Sequence, residues 1–116
     1  MQQYIEDYKA NDLANCRTIN QLIALHERHG GHFFSEDSKR FFNSRIGSDV
    51  YGGCVFVTSE QNKRGLYGRT YPRLYTVRYM DSTGNTHTVG DFQGFETRQQ
   101  AHRFAKKLGE WIATQR

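Results

Sequence analysis

The sequence predicts an α+β fold: N-terminal helices, a three-stranded antiparallel sheet, and a C-terminal amphipathic helix packed on that sheet. Two stretches, 18–30 and 97–112, pair a helix-start pattern with apolar residues at helical spacing. Between them lie three runs rich in β-branched and aromatic residues: CVFVTSE at 54–60, RLYTVRYMD at 73–81 and THTVGDF at 86–92. The last two are joined by DSTGN, a short glycine-containing loop that suits an antiparallel hairpin.

With 116 residues and 36% hydrophobic content, the chain has material for one domain with one core, spanning 1–116. Aromatic content of 14% leads us to expect a core built on rings rather than on Leu and Ile.

In chain order, the segment around Tyr4, Ile5 and Tyr8 is expected as a short helix or a packed tail. A helix follows over 19–29. Thr18 is its N-cap, Gln21 stands at the capping-box position, Ile19, Leu22, Ile23 and Leu25 are its apolar residues, and Gly30 stops it. In HGGHFFSEDSKRFFNSR, Ser35 caps a short helix over 36–44. Glu36 and Asp37 meet the unpaired amides of its first turn, and Lys39, Arg40 and Arg45 follow toward its end. Phe41 and Phe42 anchor this helix, and Phe33 and Phe34 enter the core just ahead of the cap.

On the middle strand, Tyr75, Val77 and Tyr79 alternate onto one face and Thr76 and Arg78 onto the other. The loop QNKRGLYGRTYP, before that strand, is long and basic, the kind of loop that often carries function. In the final helix, about 98–114, Thr97 and Gln100 repeat the capping pattern. Ala101, Phe104, Ala105, Leu108 and Ile112 form the stripe expected to cover one sheet face, leaving Arg103, Lys106, Lys107 and Glu110 outward. The elements make two layers.

Residue chemistry narrows the function classes. His26, His29 and His32 stand three apart, but they lack the Cys or carboxylate partners of a recognisable zinc motif. A His near a helix C-terminus also has a simpler role with the dipole, so no metal and no cofactor are expected. Cys16 and Cys54 form no CxxC pair and suit a reduced compartment. Phosphate loops, dinucleotide fingerprints, paired carboxylates and nucleophile–base motifs are all lacking, so the expectation is a protein that is not an enzyme. The N-terminal MQQYIEDYKAND is charged where a secretion signal needs an apolar run, and no apolar run is long enough to span a membrane. A cytoplasmic protein with no membrane partner is expected.

Charge is unevenly spread. Residues 1–62 carry six Lys and Arg against eight Asp and Glu, whereas residues 63–116 carry ten against four. The C-terminal half is thus suited to an acidic partner, nucleic acid or an acidic protein face.

Three resemblances add to this reading. The stretch RLYTVRYMDSTGNTHTVGDFQGFETRQQAHRFAKKL resembles the three-strand-plus-helix DNA-binding modules at the N-termini of phage-type integrases, which implies an exposed sheet face that enters the major groove. The helix, three strands, helix order also looks like a double-stranded-RNA-binding domain, although the Lys-Lys run that opens that family's last helix is TRQQ here. More of the chain is similar to small uncharacterised proteins of phages and mobile elements, through HFFS, the later SKRFFNSR, FVTSE, YTVR and VGDFQGF in that order. That similarity implies a phage or mobile-element origin and a bacterial host cell.

Two functions are expected from these features. One is a non-enzymatic phage or mobile-element accessory protein that binds and inhibits a host defence protein or nucleoprotein complex, as anti-CRISPR proteins do. The alternative is a direct DNA- or RNA-binding protein using the basic loop and sheet face. Under either, the candidate binding residues are Lys63, Arg64, Arg69, Arg73 and Arg78, with Arg103, Lys106 and Lys107 on the last helix.

Overall fold

A computed structural model describes residues 1–5, 12–61 and 73–116. Tyr8 and the loop residues Lys63, Arg64 and Arg69 lie outside the described residues. A 3₁₀ turn at Gln2–Tyr4 precedes α1 (Ile19–Arg28), α2 (Glu36–Phe41), β1 (Val55–Gln61), β2 (Arg73–Met80), β3 (Thr86–Val89) and α3 (Arg98–Gln115). The strands form one antiparallel sheet in the order β1-β2-β3, with Val57 opposite Val77 and Val77 opposite Val89.

The helix starts follow the expected chemistry. The Thr18 hydroxyl accepts from the Gln21 amide at 3.2 Å, and the Gln21 side chain reaches back to the Arg17 amide at 2.7 Å, so one orphan donor of the first turn and the amide just ahead of the cap are satisfied. Gly30, with φ +84°, ends α1 in a conformation that glycine adopts without strain. Ser35 accepts from the Ser38 amide and Thr97 from the Gln100 amide in the same way.

The expected helix over 36–44 is shorter and changes pitch. After Phe41 the chain widens into a π-turn, Phe42–Ile46, that ends at Gly47. The wider turn buries both Phe42 and Ile46, each 1% exposed, while Phe41 is half-buried. The third strand is also shorter than expected: it stops at Val89 and the chain turns through Gly90 at φ +68°. It rejoins the sheet edge at Phe95, whose backbone exchanges hydrogen bonds of 2.8 and 3.1 Å with Tyr75.

α3 packs on the sheet through Ala101, Ala105, Leu108 and Ile112. Gly109 lets it lie close: a Cβ there would come within 2.4 Å of the Tyr51 Cβ, so a residue that weakens a helix interior by about 1 kcal/mol is required by the contact. The core is chiefly aliphatic. Leu22, Ile46, Val55, Val57, Val77, Val89, Leu108 and Ile112 are fully buried, and rings contribute mainly Phe34, Phe42, Phe56 and Tyr79. This corrects the expectation of a ring-built core; two of the remaining rings, Phe33 and Phe92, line the molecule's surface groove instead.

The largest departure from expectation concerns the sheet. Val55, Val57, Val77 and Tyr79 alternate onto one face and Phe56, Thr58, Glu60, Thr76 and Arg78 onto the other. Thr76 is fully buried and Arg78 is 8% exposed, because Phe34 packs at a tilt against Phe56 with ring centroids 5.8 Å apart and brings the Phe33–Ile46 segment over this second face. Both faces are therefore covered for the most part, and among the described residues the fully open sheet surface that the integrase-like resemblance implied is not present.

The β2–β3 hairpin is closed by Asp81. Its carboxylate accepts from the Thr83 hydroxyl at 2.7 Å, from the Thr83 and Asn85 amides at 3.0 Å each, and from His87 Nε2–H at 2.9 Å. Burial pushes this carboxyl's pKa upward, but the four hydrogen bonds outweigh it and bring the value down to about 2. The ionised form is thus favoured by the fold. The contribution, on the order of 2 kcal/mol, is complete above the ordinary carboxylate range and is lost as pH falls from about 4 to about 2. An Asp81→Asn chain is expected to melt well below the parent at pH 6, with the gap closing toward pH 2. A gap independent of pH would show that the charge is not what stabilises the hairpin.

Candidate functional site

On the second sheet face the covering is incomplete and leaves a pocket of about 280 Å³. One wall comes from the segment after α1 (Phe33, Phe34, Ser38, Phe42 and Ile46), the floor from the sheet (Thr58, Ser59, Glu60 and Arg78), and the far rim from Phe92 after β3. Nine of these ten residues lie in the stretches HFFS, SKRFFNSR, FVTSE, YTVR and VGDFQ, which are far apart in the chain and which folding brings to one place.

The floor is a hydrogen-bonded ion pair. Arg78 Nη2 donates to Glu60 Oε1 at 3.1 Å, Nε donates to Thr58 Oγ1 at 2.8 Å, and Nη1 donates to Thr88 Oγ1 at 3.0 Å. Glu60 also accepts from the Thr58 and Thr76 hydroxyls at 3.0 and 3.1 Å. Such a set is what allows a charge to stay buried, since an unpaired guanidinium or carboxylate here would be strongly destabilising.

The rim is aromatic and open to solvent. Phe33 is 40% and Phe92 59% exposed, and the Arg78 guanidinium lies 4.7 Å from the first ring centroid and 5.7 Å from the second. The expectation that Phe33 enters the core with Phe34 thus holds for Phe34 alone.

Both rim rings are positioned by named contacts. His26 Nδ1–H donates to the Gly84 carbonyl at 2.6 Å, and His26 Nε2 accepts from the Phe33 amide at 2.9 Å, which together require the neutral ring with its proton on Nδ1. The His26 ring meets Phe33 and Phe34 edge-on at 6.2 and 5.3 Å. With both nitrogens engaged, His26 orients the pocket wall, while His29 and His32 are exposed. On the other rim, Gln93 has φ +56°, a conformation a non-glycine residue holds only when its surroundings enforce it. Its amide donates to Thr76 Oγ1 at 2.8 Å, and that hydroxyl donates onward to Glu60, so the turn carrying Phe92 is tied to the pocket floor.

α3 supports the remaining wall. His102 Nε2–H donates to the Ile46 carbonyl at 2.6 Å and its Nδ1 accepts from the Tyr51 hydroxyl at 2.9 Å, which fixes the Phe42–Ile46 turn. Outside that wall, Arg45 and Arg73 both lie over the Phe41 ring, at 5.0 and 5.1 Å, and Arg73 donates to Ser59 Oγ and O at 2.6 and 3.1 Å.

The sequence-derived candidates are therefore divided. Arg78 is a buried cation at the pocket floor, 8% exposed. Arg73 stands beside the pocket. Arg103, Lys106 and Lys107 are exposed on α3, and none makes an ion pair among the described residues. Sequence reasoning did not single out Glu60, Thr58, Phe33 or Phe92 as site residues. A signal for the first two was available: strand period puts Thr58 and Glu60 on one face of β1, and the same period puts Thr76 and Arg78 on one face of β2, where Thr58 pairs with Thr76.

Cys16 and Cys54 are free thiols, and burial pushes the pKa of Cys54 up to about 12 against the lowering influence of Arg116. Among the described residues no helix is long and apolar enough to cross a membrane. Residues 18–106 match the model of a family of unknown function, DUF7447. No curated protein and no solved structure matches the chain.

Proposed function

The chain belongs to the DUF7447 family, and we propose that it is a non-enzymatic binding protein that inhibits a host defence protein or nucleoprotein complex by occupying one of its surfaces. The supporting observation is the convergence on one open pocket of the very stretches that resemble phage and mobile-element proteins. Exposed Phe33 and Phe92 around an arginine have the composition of an interface hot spot, in which aromatic residues and Arg dominate the energetics. A large ring held at 59% exposure by a strained turn contributes little to the fold and is free to contribute to binding.

The test is capture of partners from bacterial lysate, with and without nuclease, by the parent chain and by Phe92→Ala. Because Phe92 is exposed, the variant is expected to melt within about 2 °C of the parent. Protein capture should survive nuclease and be lost in the variant. Capture that is indifferent to Phe92 would remove the pocket from the interface.

One observation favours a second reading, direct nucleic-acid binding: Arg103, Lys106 and Lys107 present a cationic strip along α3 that has no ion pair among the described residues. Binding of bare duplex at roughly 0.15 M salt with a steep salt slope, flattened when all three become Ala, would favour this alternative.

A further inference from the structure

We propose that the pocket takes a single unpaired nucleobase, stacked on the Phe33 and Phe92 rim and hydrogen-bonded at its edge by Arg78 and Glu60. The inference rests on the pocket's being the recognition site and names what enters it.

The charge of the floor selects the guest. Arg78 and Glu60 neutralise each other across 3.1 Å, so a cation entering would meet the guanidinium and an anion would meet the carboxylate. A neutral guest is favoured. Arg78 has five N–H groups, of which three are committed to Thr58, Thr88 and Glu60 among the described residues. Among the described residues, Glu60 Oε1 accepts two hydrogen bonds, whereas Oε2 accepts one, from Thr76, which leaves it a lone pair toward them. Donors and an acceptor thus sit side by side on one ion pair. An apolar guest such as a Leu or Phe side chain would strip water from them and leave them unmet.

The shape of the site selects further. A closed apolar cavity of roughly 150 Å³ holds one benzene ring, so about 280 Å³ with an open mouth has room for a one- or two-ring heterocycle. Each exposed ring turns one face toward Arg78 and offers its remaining surface for stacking. A nucleobase is neutral, flat and apolar on its faces, and presents a neighbouring donor and acceptor on one edge; paired in a duplex, that edge is unavailable. Arg45 and Arg73, flanking Phe41 just outside the wall, are placed to meet the phosphate of a strand whose base is inserted.

The test uses the full chain with the four nucleosides, the four mononucleotides, short single-stranded oligonucleotides, and an abasic strand of equal length that has phosphates but no bases. Binding is followed by fluorescence anisotropy for strands and by the Arg78 Nε–H resonance for nucleosides. At least one base should shift that resonance, and base-bearing strands should bind ten-fold or more tightly than the abasic strand. Phe92→Ala should lose at least ten-fold in affinity with its melting temperature retained, and Phe92→Trp should restore it. Strand binding tighter than mononucleotide binding assigns the base to a polymer; equal affinity assigns the site to a free nucleotide, and both support base recognition. An abasic strand that binds as well as the others, or an Arg78 resonance unmoved by every nucleoside at millimolar concentration, overturns the inference. A chain that still captures a protein through Phe92 while ignoring every base would keep the recognition site and lose only this inference.

Discussion

Phe42→Ala is expected to lower stability by about 3–5 kcal/mol, because the ring is 1% exposed and its removal leaves a cavity that the surrounding chain fills only in part. The ring sits 6.0 Å from Phe34, which in turn lies 5.8 Å from Phe56, so deletion loosens the row of tilted rings that seats the Phe33–Ile46 segment on the sheet. For a chain of this length the thermal midpoint should fall by roughly 15 °C. Phe41→Ala is the control. That ring is half-buried beneath Arg45 and Arg73, and its loss should be less than half as damaging. Denaturant unfolding of both variants checks the result. Equal losses would mean that the π-turn does not distinguish the two rings, and a Phe42→Ala chain melting within 2 °C of the parent would place Phe42 outside the core.

Arg78→Met is expected to destabilise by about 3 kcal/mol. It removes the guanidinium from a site where Glu60 remains, with its side chain 27% exposed, and where the Thr58 and Thr88 hydroxyls lose their donor. The damage comes chiefly from the stranded carboxylate and not from a lost attraction. Replacing both members, Arg78→Met with Glu60→Leu, should therefore recover more than half of the loss, since an apolar pair of similar volume has no charge to bury. The coupling read from the double-mutant cycle is the measurement. Strict additivity of the two single losses, or an Arg78→Met chain within about 0.5 kcal/mol of the parent, would show that the pair is solvated and not the floor of a pocket.

Local order was legible in the sequence wherever it depends on near neighbours. Thr18, Ser35 and Thr97 each cap the helix their positions announced, because a cap needs only a side-chain oxygen and an amide two or three residues on. Three strands, their antiparallel hairpin and the helix on the sheet were likewise readable from period and turn chemistry. Arg78 marks where this stops. Its residue type and its alternation were visible, but whether its face met water depended on Phe34 arriving from more than forty residues upstream, a contact that no local pattern encodes. The same holds for Phe33 and Phe34, adjacent and chemically identical in sequence: the His26 bond to the Phe33 amide and the packing of Phe34 against Phe56 send one to the rim and the other to the core. The sequence by itself thus determined the elements and their order. The pocket was decided by tertiary structure, because it is made of gaps between long-range contacts, and a gap has no residue of its own to be read.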